Sequence, residues 1–87
     1  MITCLLCPSP AVADCLCVVC GAKVWAAQLW EREPITALYR SRQVMAGDLP
    51  DVGSEERVDA LRAIPSAGAA ECFLETLKAA RTQRAAA

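Results

Sequence analysis

The chain repeats Cys-x-x-Cys within its first twenty residues, as CLLC at residues 4–7 and CVVC at residues 17–20. A thiolate pair at this spacing can chelate one ion from a single tight turn, and two such turns supply the four sulfurs of a tetrahedral site. The nine residues between them, PSPAVADCL, are chain enough to fold the second pair back onto the first. With only 87 residues there is little interior to stabilise a fold. A metal staple is therefore the natural organiser.

The competing use of six cysteines is three disulfides, which requires a secretory route. No basic segment precedes the first apolar run, and Asp14 interrupts that run. Residues 15–30, the longest nearly apolar stretch, contain Lys23 and fall short of the ~20 residues that span a bilayer. The reading is a soluble, cytoplasmic protein with reduced thiols and no membrane association.

Residues 4–24, CLLCPSPAVADCLCVVCGAKV, resemble the short zinc-ribbon module of the double-zinc-ribbon type, with two CxxC knuckles about ten residues apart and a CGA or CGAK ending. The resemblance implies that Cys4, Cys7, Cys17 and Cys20 ligate one Zn2+, with iron the less favoured ion. Gly21 suits a turn around the metal. Two features depart from the family pattern. Leu5-Leu6 and Val18-Val19 replace the usual polar or proline residues, which predicts knuckles packed on the protein's own helices. Cys15 has no counterpart in the module. It is read as a surplus thiol or apolar filler, with replacement of Cys17 as a ligand and redox sensing as alternatives.

Beyond the cysteines the sequence reads as helices. Residues 22–33 are ambiguous between a strand and a helix that pairs Trp25 with Leu29. Pro34 opens a helix in which Ile35, Leu38, Tyr39 and Met45 share one stripe, Arg42 lies inside that stripe, and Gly47 provides the stop. The turn-rich GDLPDVG leads to Ser54, an N-cap with Glu55 and Glu56 in the first turn behind it. Pro65 ends that helix. In the last helix Ala69, Ala70, Phe73, Leu74, Leu77 and Ala80 form a broad face, Cys72 flanks it, and the terminal alanines are expected to fray.

The expected architecture is thus a small α-rich, metal-stabilised protein. Residues 1–24 form a zinc knuckle or zinc ribbon, and residues 25–87 supply two to four short helices that pack on it as one cooperative domain.

Function is narrowed mostly by exclusion. The chain has no histidine, a four-thiolate site leaves no open coordination position, and no glycine-rich phosphate loop is present, so the reading is not an enzyme. A net charge of -1 argues against a dedicated polyanion binder. The favoured class is a regulatory or adaptor protein that works through protein contacts, with a homodimer among the options. Trp25, Trp30 and Arg42 are its candidate partner-binding residues. The alternative is a nucleic-acid-binding zinc-ribbon regulator related to transcription, with Trp25 or Trp30 as a stacking surface; a thiol redox sensor ranks below both.

Overall fold

The computed structural model describes residues 2–48 and 51–86. Among them are four helices, α1 (Val18–Arg32), α2 (Pro34–Met45), α3 (Glu55–Ala63) and α4 (Ala67–Ala86), preceded by an irregular N-terminal segment. Leu49 and Pro50, in the middle of the expected connector, and Ala87, the last of the alanines expected to fray, lie outside the described residues.

The N-terminal segment is tied by two isolated antiparallel bridges, Thr3 with Pro10 and Ala13 with Leu16. The Cys4 amide donates to the Ser9 carbonyl at 2.8 Å, and the Ala11 amide to the Ile2 carbonyl at 2.9 Å. The second bridge closes on Asp14 and Cys15, both in the left-handed region at φ 52° and 62°. Two successive left-handed residues under a Leu16 amide that donates to Ala13 at 2.9 Å make a type I′ turn.

Residues 22–32 are helical, Glu33 being the cap that follows, and the helix runs straight through the expected module boundary at residue 24 because α1 starts at Val18. Its inward side is Ala22, Ala26, Ala27 and Trp30. Alanines on this side let neighbouring backbones approach closely, and α1 becomes the central helix, touching α2, α3 and α4. Trp30 is the one large side chain of that row. Its indole N–H donates to the Ile64 carbonyl at 2.9 Å, which satisfies the carbonyl at the end of α3.

The helix boundaries follow from capping chemistry. Pro34 starts α2 with its fixed φ. Gly47, at φ 86°, ends it: the Asp48 amide reaches back to Gln43 at 2.9 Å and the Gly47 amide to Val44 at 3.1 Å, the Schellman arrangement. The Ser54 hydroxyl accepts from the Arg57 amide at 3.3 Å and caps α3. Gly53, at φ 106°, brings the chain so close that a Cβ there would lie 3.3 Å from the Arg57 guanidinium.

The apolar residues gather into two clusters. One joins the alanine row and Trp30 of α1 with Ala37, Val44, Ala60, Leu61, Ile64 and Ala70. The other joins Cys4, Leu16, Cys17 and Cys20 with Leu77 of α4, and Leu5, Leu6 and Val24 pack on it. The expected packing of the knuckles holds for Leu5 and Leu6, while Val18 and Val19 are exposed. The apolar stripe of α2 does not face the core. The helix turns Ala37, Ser41 and Val44 inward and leaves Ile35, Leu38, Tyr39 and Met45 in solvent.

Candidate metal centre

Four thiols converge between the N-terminal segment and the start of α1. The sulfurs of Cys4, Cys7, Cys17 and Cys20 all lie within 4.8 Å of one another. Cys7 Sγ is 3.5 Å from Cys17 Sγ and 3.8 Å from Cys20 Sγ. A tetrahedral ion with metal–sulfur bonds of about 2.3 Å requires sulfurs about 3.8 Å apart, so the donor set fits a single four-coordinate ion.

The two pairs are presented differently. Cys4 and Cys7 sit in a loop, where the Leu6 amide donates to Cys4 Sγ at 3.5 Å. Cys17 is the N-cap of α1 and Cys20 lies in its first turn, and the Cys20 amide donates to Cys17 Sγ at 3.4 Å. A sulfur thus takes the capping role usual for serine or aspartate, and the positive end of the helix dipole faces the cluster. Gly21 is not the turn residue its position suggested. It is helical, its amide donates to the Cys17 carbonyl at 2.9 Å, and a Cβ there would meet nothing within 4 Å.

The electrostatics match a site waiting for positive charge. Burial disfavours the Cys4 thiolate, but the amides of Leu6 and Cys17 and the thiols of Cys20 and Cys7 outweigh it and bring the thiol down from 9.0 to about 6. Cys7 is lowered by the Ser9 hydroxyl and amide, with help from Cys17. Cys20 moves the other way, raised first by burial and then by its three sulfur neighbours. The raised Cys20 and the lowered Cys4 and Cys7 reflect sulfurs crowded close enough to repel each other's charge, which a bound cation would relieve.

Cys15 is not among the four. Its carbonyl accepts from the Leu5 amide at 3.0 Å, which holds the turn against the first pair, while its half-buried side chain stays apart from the cluster. Cys72 is exposed on α4. Of the candidate partner-binding residues, Trp30 is buried in the helical core. Trp25 is half-buried under Arg57, whose guanidinium carbon lies 4.7 Å from the ring centroid. Arg42 is exposed on α2. The one ion pair among the described residues is Arg62 with Asp59 at 3.1 Å, so Arg42 makes none with Glu31, Glu55 or Glu56.

The left-handed pair at Asp14 and Cys15 was only half announced in the sequence, because aspartate is a usual first residue of such a turn but the second position holds cysteine where glycine is expected. No helix among the described residues is long and apolar enough to cross a membrane. No family model, no curated protein and no solved structure matches the chain.

Proposed function

We propose that the chain is a small zinc-binding protein with no catalytic chemistry of its own, which acts as an adaptor or regulator through contacts with other proteins. The observation that carries the metal part is the spacing of the four sulfurs, which suits one ion held by Cys4, Cys7, Cys17 and Cys20. Four thiolates of this kind select zinc or iron, and zinc is the ion such closed sites take for structural purposes. A multi-iron cluster places metal and sulfide between its thiolates and needs them further apart. The ion supplies cross-linking and charge neutralisation, and with all four positions filled by protein it has none left for a substrate.

The non-catalytic reading is supported by the absence of histidine from the chain and by the structural uses of its polar groups. Ser54 and Ser66 cap helices, and Arg57 ties Trp25 to the Val52 carbonyl. The contact-making reading is supported by the large apolar side chains left in solvent on α2. The nucleic-acid reading loses most of its stacking surface, since Trp30 is buried and Trp25 is covered by an arginine.

Elemental analysis of the purified full-length chain, with thiol counting in the native state, tests this directly. One zinc per chain is expected, with Cys15 and Cys72 the reactive thiols. A folded chain free of metal would end the proposal. A gel shift at low salt tests the competing class, because a nucleic-acid binder would shift DNA or RNA and lose it as salt rises.

A further inference from the structure

The Asp14–Cys15 turn, α1, the first turn of α3 and the second half of α4 enclose a groove of about 560 Å³. Its apolar wall is Val12, Leu16, Val18, Val24 and Trp25. Arg57 of α3 and Arg81 of α4 also line it, and Gln28 adds an amide. Pockets for small organic ligands measure roughly 300–1,000 Å³, with a few polar groups set in an apolar lining to fix the ligand's orientation. The groove has that size and that make-up.

The two arginines have charge to spare. The one ion pair among the described residues is Arg62 with Asp59, so neither Arg57 nor Arg81 meets a side-chain carboxylate there. Arg57 is also held in place: its guanidinium carbon lies 4.7 Å from the Trp25 ring centroid, and its Nη1 donates to the Val52 carbonyl at 3.0 Å. A planar fork fixed along one edge presents its other N–H groups at little further cost in side-chain freedom. Asp14 is the one acidic residue of the lining, so two cations face a single anion across the groove. An adjoining hollow of about 340 Å³ along α4 shares Gln28 and Arg81 and adds Lys78, with no acidic residue in its lining.

We propose that this groove binds a small amphipathic organic anion, a carboxylate or sulfonate on an apolar body. Arg57 and Arg81 take the anionic group, and the valines and the Trp25 ring take the body. Such a site goes beyond the adaptor reading, since it gives the protein a ligand as well as partners. The groove borders the metal centre through Cys17, yet the ligand takes nothing from the sulfurs.

Fluorescence titration of the zinc-loaded full-length chain with anilinonaphthalene sulfonate tests this, because the dye joins an aromatic body to one anionic group. Saturable binding at one site per chain is expected, with a Kd on the order of 100 µM. Phenylbutyrate should displace the dye, and phenylbutylamine, a similar body carrying a cation, should not. Arg81→Gln, at an exposed helical position, should weaken the dye about fivefold. Asp14→Asn, which keeps a residue suited to the left-handed turn, should tighten it about twofold. Arg40→Gln on α2, outside the groove, should leave it unchanged. In heteronuclear NMR spectra the amides of Ala13, Val18 and Gly21 and the Trp25 indole N–H should move, and the amides of residues 35–45 should not. No saturable binding overturns the proposal, as does binding that Arg81→Gln leaves intact or Asp14→Asn weakens. Movement of the α2 amides instead would put the dye on that helix's exposed apolar side, and equal displacement by the amine would show a surface with no choice of charge; either ends the proposal. Circular dichroism and metal content of each variant confirm the fold, so binding lost with zinc still in place reads on the groove alone.

Discussion

Residues 2–17 and the helices behind them are held together by different means. The N-terminal segment has two isolated bridges, a handful of amide bonds between its own turns and three of the four converging sulfurs. The helical part has a contiguous apolar cluster, built on the alanine row of α1 and completed by Leu61 and Trp30. One region is organised around a charge it must neutralise, the other around surface it must keep from water. They meet in α1, whose N-cap and first turn carry one thiol each and whose second half lies in the core. Leu77 of α4 packs on the sulfur side.

The largest expected effect breaks the first region alone. Structural zinc contributes on the order of 10 kcal/mol to folding in small zinc domains. Chelation should therefore lower the melting temperature by more than about 20 °C. By hydrogen exchange, the amides of Cys4, Leu5, Ala11 and Leu16 should lose protection before those of the core-facing part of α1. Simultaneous loss would show that the two regions are one unit without the metal as well as with it.

Acid should act on the same region. The folded Cys4 thiol is depressed from 9.0 to about 6, so in the metal-free chain its contribution to stability is complete above pH 9.0 and is lost as the pH falls through about 6. Cys20, shifted upward, has the opposite sign: its contribution is present below 9.0 and lost as the pH rises through its folded value. Metal binding needs all four sulfurs deprotonated, and protons compete for them. A zinc-sensitive dye should report release as the pH is stepped down below about 6, with the ion gone by about pH 4. Retention at that pH would mean that sulfur protonation does not control the site.

The second region should fail differently. Leu61 is the largest fully buried side chain, and Leu61→Ala should cost about 2–5 kcal/mol in denaturant melts. Zinc stoichiometry in the folded variant should stay at one, because Leu61 touches the helical cluster and not the sulfurs. A fall in zinc content below one would show the core to be a support of the metal centre.

What could be read in advance follows the same division. The ligand spacing was legible because chelation depends on local separation, and three helix boundaries were legible because Pro34, Gly47 and Ser54 act within a turn of themselves. The direction in which α2 faces was not. Its apolar stripe is a sound helical pattern, but nothing in a periodicity says which of two sides meets the rest of the chain. Here the side with Ala37 and Ser41 won because it allows close approach to α1 and α3. The role of Gly21 was misread for a related reason. A glycine after CxxC suits a turn, yet here the second pair belongs to a helix.

That misreading leaves the smallest and sharpest test. The chain has a glycine where its helix would be better served by alanine, and a cysteine where its turn would be better served by glycine. Gly21→Ala should stabilise α1 by about 0.5–1 kcal/mol, since the site is helical and a Cβ meets nothing within 4 Å. Cys15→Gly should relieve the left-handed strain at φ 62° and create Asp-Gly, the preferred type I′ pair, for a gain of about 1 kcal/mol. Zinc content should be unaltered in both. If Cys15→Gly lost the metal, Cys15 would be a ligand after all, and the geometry that excludes it from the four would be wrong. If Gly21→Ala were destabilising, the second pair would sit in a turn, and the two regions would not share a helix.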